Sequence, residues 1–373
     1  MPPIRALSSY CFELSRALSK ICHIGFISFK QIYPSFLYPG GNLENDYTYP
    51  DIDRSNIDIR RKLTWYNPLT WIGEGMFAKA DLLHAQWWSM PLFPVYLTVC
   101  SLFRIRKKPV IFTVHNVLSH ENSGLYRIFS RLLFRLGNHF IVHTQTGKQQ
   151  LIYHYGISSK NISVIPHGSL DFHVQGNVDR DELKKRMGFK ENEKIILMFG
   201  AVRPYKGIDT ALKAMAKIKK QLPEARLLIA GKLWENWEPY DRLIKIHNLS
   251  NIVHLHLQYI PSNEVCKYFE ISDIAVFPYH HFDSQSGAGA AAVSFRKPMV
   301  VSNVGGLPEL VADKRCVVKP KDSEALANIV VKILKNPLMG MDIALKSEKI
   351  AEQLNWSNIG EKTVGVYKKT IKD

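Results

Sequence analysis

The sequence predicts an α/β protein of two consecutive domains, each a parallel sheet covered by helices on both faces. Three observations carry this. The 373 residues, 46% hydrophobic and 22% charged, suffice for two packed cores of ordinary size. Beyond about residue 80, short β-branched or aromatic runs alternate with longer amphipathic stretches. A polar segment without hydrophobic periodicity, 171–181, divides that alternation into two series, with the boundary expected near Phe172.

The chain opens on "MPPIRALSSYCFELSRALSK", a Pro-Pro turn running straight into an amphipathic helix over 7–20. A doubly wound domain normally begins with a buried strand before such a turn. Either the first strand is missing from this chain, with a moderate loss of core stability, or the first domain is built differently. Strands follow at 81–84, 109–114, 139–143 and 162–166, with helices at 124–136 and 147–155. The second series has strands at 194–199, 226–230, 252–257, 274–277 and 299–302, and helices at 207–222, 261–271 and 323–334. The final "WSNIGEKTVGVYKKTIKD" is again helix-like.

The formal charge of +16 suits phosphate-bearing ligands, anionic membrane surfaces or nucleic acid alike. Five scattered cysteines without a CxxC pair argue against a disulfide framework or zinc knuckle and fit a reducing cytoplasm. The longest apolar stretch, 90–103, falls short of the ~20 residues of a spanning helix and contains Pro91 and Pro94. The N-terminus lacks a signal-peptide pattern.

Three loops carry the candidate chemistry. "ILMFGAVRPYKGID" is an apolar strand ending at Gly200, a loop with Arg203 and Lys206, and a helix opening near Gly207. Small residues, two cations and unpaired helix N–H groups are the physical requirements of a diphosphate site. "SQSGAG" follows a strand end and precedes a helix, so Ser284, Ser286 and the N–H groups of 287–289 are placed to cap a phosphate oxygen. "SNVGGLPEL" repeats the logic, with Pro308 and Glu309 opening a helix. Each loop alone is equally an ordinary glycine turn; three at successive strand ends point to the ligand edge of an open α/β sheet. None matches a P-loop or the Gly-rich dinucleotide fingerprint, which sets aside an ordinary ATPase or dehydrogenase.

In the first series "VIFTVHNVLSHE" puts His115 and Asn116 at a strand end, with His120 and Glu121 soon after, and "VIPHGSLDF" puts His167 at the approach to the linker. Such a histidine serves either the structure or a sugar hydroxyl and its proton. No HExxH-type spacing or strand-end acidic pair indicates a metal. The segment "QWWSMPLFPVYLTVCSLFRIRKK" is readable as a membrane-docking surface or as a buried helix with cations in its last turn.

Together these residues resemble the retaining glycosyltransferases of family 4, over most of the chain and most firmly from 195 to 317: "RPYKG", "LLIAGK" and "RKPMVVSNVGGLPELV". The resemblance implies the GT-B architecture, two Rossmann-like domains facing across a cleft. It divides the chain into an acceptor-side domain 1–172, a donor domain 173–355 and a helix 356–373 that returns to the first domain. Arg203 and Lys206 would hold the donor diphosphate, with Gly200, Ser284, Gln285, Ser286, Gly287 and Glu309 also on the donor side. His115 would correspond to the active-site histidine, with Asn116 and His167 toward the acceptor. The usual Glu-x7-Glu motif falls on Asp283, shortened, and Ala291, lost, so the chain looks like a subclass with a Ser-Gln-Ser-Gly element. Losing a ribose contact would cost about 1 to 3 kcal/mol of affinity.

The implied activity is metal-independent, retaining transfer of a hexose from a nucleotide-sugar to a glycan or polyprenyl-linked acceptor, without a cofactor. The implied location is cytoplasmic, with peripheral contact at the anionic inner face of the cell membrane. The alternatives are another GT-B enzyme, such as a sugar-nucleotide epimerase or phosphorylase, or a degenerate nucleotide-binding scaffold. Nucleic-acid binding lacks any recognition motif.

Overall fold

A computed structural model describes residues 5–32, 55–118, 124–169, 179–282 and 284–372. The chain divides into two compact units, Met1–Gly168 with Gln353–Asp373, and Ser169–Glu352. The expected boundary at Phe172 lies outside the described residues.

The first unit comprises α1 (Arg5–Ser19), β1 (Ile24–Gln31), β2 (Ile57–Thr64), α2 (Pro68–Phe77), β3 (Leu83–Trp87), α3 (Phe93–Ile105), β4 (Val110–Val114), α4 (Gly124–Phe134), β5 (His139–Val142), α5 (Gln145–Tyr155) and β6 (Ile162–Val164). Strands β3 to β6 form a parallel sheet in the order β3-β4-β5-β6, while β1 and β2 pair in parallel as a separate sheet. The described residues of the first domain form two sheets, and no ladder hydrogen bonds join β1 to β3. Apolar residues nonetheless connect the sheets on both faces: Phe29 and Leu63 share a core with Ala85, Trp87 and Phe112, and Ile24 and Phe26 share another with Ile111 and Ile141. Neither β1 nor β2 is among the expected strands. β2 carries Arg60, Arg61 and Lys62 in succession, and each strand leaves three of its eight residues exposed, so their apolar signal is diluted.

The strand expected at 81–84 instead spans Leu83–Trp87. The following stretch folds inward: α3 buries Val95, Val99, Cys100 and Phe103, and Arg106 donates to the Gly75 and Ala78 carbonyls at 2.9 and 2.8 Å. Among the described residues no helix is long and apolar enough to cross a membrane.

The second unit comprises α6 (Arg180–Arg186), β7 (Lys194–Phe199), α7 (Ile208–Gln221), β8 (Ala225–Ala230), α8 (Glu238–Ile246), β9 (Val253–His256), α9 (Val265–Ile271), β10 (Ile274–Phe277), α10 (Gly287–Ser294), β11 (Met299–Ser302), β12 (Val317–Val318), α11 (Ser323–Lys335) and α12 (Pro337–Gln353). Its single parallel sheet has the order β12-β11-β10-β7-β8-β9. The chain leaves β7 toward β8 on one side and β10 toward β11 on the other. The neighbours β7 and β10 thus form the switch point where open α/β sheets hold ligands. The last helix, α13 (Trp356–Lys372), packs against α1 in the first unit, burying Trp356 and Ile359 beside Tyr10 and Leu14.

The helix expected from Pro308 is a single 3-10 turn, Leu307–Leu310; Val311 already returns to extended backbone. Likewise, the helix expected over 261–271 starts as a 3-10 turn, Ser262–Glu264, before α9.

Candidate active site

The three second-unit loops converge at the switch point. Gly200, the residue after β7, has φ +110°, and its N–H donates to the Ala230 carbonyl at 2.9 Å. Gly207 is required at its position: φ is +71°, and an added Cβ would lie 1.9 Å from the Pro278 carbonyl oxygen. It opens α7 without any side-chain cap, leaving that helix start to other partners.

Both cations of this loop are held on aromatic faces. The guanidinium carbon of Arg203 lies 4.1 Å from the Trp234 ring centroid, and Lys206 Nζ lies 4.2 Å from that of Tyr279. Lys206 also donates to the Tyr279 hydroxyl. Burial, and then the charge of Arg203, push the Lys206 ammonium down to about 7. Removing it from water strengthens its attraction to an incoming anion and disfavours its charge until that anion arrives.

Tyr279, two residues beyond β10 and 1% exposed, is the hub. Its hydroxyl lies 3.2 Å from Ser286 Oγ, which in turn accepts from the Gly289 N–H at 3.2 Å and so caps α10. A hydrogen-bonded chain therefore runs from the Lys206 loop to the start of α10, across both strands of the switch point. Ser286 thus serves first as the N-cap of α10. Gln285 is buried, and Gly287 is the first residue of the helix.

The third loop joins the second: the Gly306 N–H donates to the Ser284 carbonyl at 3.0 Å, and a Cβ on Gly305 would lie 2.5 Å from the Phe282 carbonyl oxygen. Glu309 is exposed on the 3-10 turn, its N–H donating to the Gly306 carbonyl at 3.2 Å. Ala291 is 1% exposed, packed inside the unit. Asp283, like His120 and Glu121, lies outside the described residues.

The first unit gathers histidines: His115 and His143 directly follow β4 and β5, and His84 lies within β3. His115 Nε2 lies 2.9 Å from Gln86 Oε1, His115 Nδ1 lies 3.3 Å from His143 Nε2, and His143 Nδ1 lies 3.0 Å from the Ile165 carbonyl. His84 contacts the Tyr367 hydroxyl at 2.6 Å and Thr113 Oγ1 at 2.7 Å. Tyr10 stands among them, its ring centroid 4.9 Å from both His115 and His167, 5.2 Å from His143 and 5.4 Å from Trp356. Burial pushes His84 down to about 4 and His143 to about 3. It holds His115 well below its ordinary value, with the neighbouring histidines adding to the effect. The cluster is neutral at physiological pH, suited to hydrogen-bonding hydroxyls rather than to binding anions. His167 Nδ1 lies 2.8 Å from the Gly168 carbonyl, and the Asn116 carbonyl accepts from the Tyr126 hydroxyl at 2.6 Å. Among the described residues no three His, Cys, Asp or Glu side chains are grouped to hold a metal ion.

Sequence reasoning missed Trp234, Tyr279, Tyr10, His143 and Gln86. Only Tyr279 left a signal, as the aromatic in "VFPYHH" just past a strand end.

Two family models match the chain: Glycosyltransferase Family 4 over residues 8–169 and Glycosyl transferases group 1 over 179–353. Together with the two Rossmann-like units, these matches make the chain a glycosyltransferase of the GT-B type. An uncharacterised glycosyltransferase of Methanocaldococcus jannaschii is 24% identical over 348 residues, 86% of each chain. The D-inositol 3-phosphate glycosyltransferase of Corynebacterium aurimucosum is 23% identical over 307 residues, 77% of this chain and 71% of that one. The crystal structure of Anabaena HepE in complex with UDP and glucose superposes with a TM-score of 0.69 at 18% identity, covering 84% of this chain and 86% of that one.

Proposed function

We propose that the chain moves a hexose from a nucleotide diphosphate donor to a glycan or lipid-linked acceptor, with retention at the anomeric carbon and without a divalent cation in the chemical step. The observation that carries this reading is the pairing of Arg203 and Lys206 on aromatic faces at the β7–β10 switch point, with the start of α10 tied to them through Tyr279. Two fixed cations and open helix N–H groups counter the negative charge that develops on a departing diphosphate. The HepE complex with UDP and glucose supports a nucleotide-sugar as the donor class.

On the acceptor side the neutral His115 positions or polarises a hydroxyl and does not act as a nucleophile. The leaving phosphate takes the acceptor proton on the same face of the sugar, so no separate protein base is needed. Ala291, packed where the family places a ribose-binding carboxylate, favours a second reading, nucleotide binding without transfer.

Donor hydrolysis and thermal stabilisation across UDP-, GDP- and ADP-sugars in EDTA test the proposal. One donor class should stabilise the wild type and slowly release nucleotide, and Arg203→Ala/Lys206→Ala should lower that release by roughly 10³-fold. Binding that persists without turnover on any acceptor selects the second reading. A strict requirement for divalent cation overturns the metal-free step.

A further inference from the structure

Four ring nitrogens of the first unit stand in a row between two carbonyl oxygens. His115 Nε2 lies 2.9 Å from Gln86 Oε1, His115 Nδ1 lies 3.3 Å from His143 Nε2, and His143 Nδ1 lies 3.0 Å from the Ile165 carbonyl. Both ends of the row are acceptors, so each end needs an N–H, and the contact between the rings needs one more. That is three protons on two rings, one more than two neutral imidazoles carry. With only two protons, every placement leaves two acceptors facing each other, at Gln86, between the rings or at Ile165. Burial makes both an extra charge and an unmade hydrogen bond costly here.

The Gln86 carboxamide offers a way out. A half-turn about its last bond exchanges oxygen and NH2. The NH2 then donates to His115 Nε2, His115 Nδ1–H donates to His143 Nε2, and His143 Nδ1–H donates to the Ile165 carbonyl, with both rings neutral. The turn carries further, because Gln86 Nε2 lies 3.3 Å from His84 Nε2. With the oxygen there instead, His84 bears its proton on Nε2, shared with Thr113 Oγ1 at 2.7 Å, and its Nδ1 accepts from the Tyr367 hydroxyl at 2.6 Å. With the NH2 there, His84 bears its proton on Nδ1 and the Tyr367 oxygen accepts. Both arrangements satisfy these contacts, and they differ by one solvent-derived proton on the His115–His143 pair.

We propose that Gln86 is a positioning residue for His115: its carboxamide presents NH2 to the neutral ring and oxygen to the protonated one, and so sets whether His115 Nε2 is an acceptor or a donor. Among the described residues, the titratable groups that face His115 are His84, His143, His167 and Tyr10, none of them anionic at neutral pH. The consequence for turnover rests on the proposed transfer, in which His115 meets a substrate hydroxyl; the proton wiring does not.

Long-range proton–nitrogen NMR of the full chain with 15N-labelled histidine reads each ring's tautomer without donor or acceptor, and His84→Gln and His115→Gln assign the two signals. At pH 7.5 the wild type should carry the His115 proton on Nδ1 and the His84 proton on Nε2. Any other pairing in the neutral wild type overturns the proposal, whether or not a variant folds. In Gln86→Glu the carboxylate can only accept, so His115 should show Nε2–H. Its protonation midpoint should also rise by at least about one pH unit, tenfold in proton affinity. A His115 tautomer and midpoint unchanged in folded Gln86→Glu also overturn the proposal. Absence of turnover on every sugar nucleotide would sink the transfer reading and leave these tautomers as they are, so the two failures are distinguishable.

Discussion

The two units share an architecture and differ in how their strand ends handle charge. In the second unit the sheet is continuous through six strands, and the groups at its switch point are Arg203 and Lys206, cations held on rings with no carboxylate bound to either in the contacts described. In the first unit the strands split into a pair and a group of four, and the strand ends carry neutral histidines around Tyr10. One unit thus sets Arg203 and Lys206 at its strand ends, and the other sets histidines that burial disfavours as cations. Backbone topology provides the strand ends, and local burial decides which ionic state each holds.

The comparison breaks most sharply at Gly207. Its left-handed conformation and the 1.9 Å approach that a Cβ would make to the Pro278 carbonyl tie the β7 loop to the β10 loop through backbone alone. Gly207→Ala should cost more than about 2 kcal/mol of stability and separate the two anion-binding loops. Urea unfolding followed by Trp234 and Trp237, with the first-unit tryptophans replaced by phenylalanine, would show the loss. An unchanged midpoint would mean that the loops are joined by something other than this contact.

Acid should act in the opposite place. Burial depresses His84, His143 and His115 in the folded state, while the unfolded chain titrates near ~6.5. Below that value the unfolded state binds protons that the folded cluster refuses, so stability falls as pH drops from about 6.5 toward about 4. A single such histidine is worth about 2 kcal/mol by pH 5. In the second unit His254, His256 and His280 are also lowered by burial, less far than His84 and His143, and Glu193 and Asp209 partly offset this for His254 and His280. The first unit should therefore unfold first between pH 7 and 5, with His143→Gln shallowing the slope. Unit-selective tryptophan fluorescence decides it, and equal slopes in the two units would sink the contrast.

The same two regions explain what the sequence disclosed. Strands β7, β10 and β11 are built on apolar runs, 195–199, 274–277 and 299–301, almost wholly buried, and these runs are legible from composition alone. β1 and β2 are half-exposed, and β2 is charged at its centre, so periodicity is weak exactly where the first sheet divides. Within the candidate site, Arg203, Lys206 and the glycines are legible because their chemistry is local to one loop. Trp234 is not, and Tyr279 shows only as an aromatic past a strand end, since their roles rest on contacts 31 and 73 positions away along the chain (234 − 203 and 279 − 206), which no local spacing rule encodes. The loss of the expected carboxylate at Ala291 is visible in the sequence, but only the fold shows that the position is packed.

Tyr279 gives the finest test of whether the second unit's anion site is one device or several. If its hydroxyl aligns Lys206 with the start of α10, Tyr279→Phe keeps the ring under the ammonium and removes only the link to Ser286. Affinity for the nucleotide diphosphate should then fall by roughly fivefold, about 1 kcal/mol, the scale of one hydrogen bond. Ser286→Ala should lose a similar amount, and the double variant little more, because both break the same chain. Wild-type affinity should also decline as pH rises above about 7, where Lys206 loses the proton that an anion requires of it. Calorimetry in two buffers of different ionisation enthalpy would detect proton uptake on binding near pH 8. Additive losses from Tyr279→Phe and Ser286→Ala would show that the ammonium and the helix start act independently. In that event the second unit's advantage lies in charge alone, and the hydrogen-bonded chain is a consequence of packing.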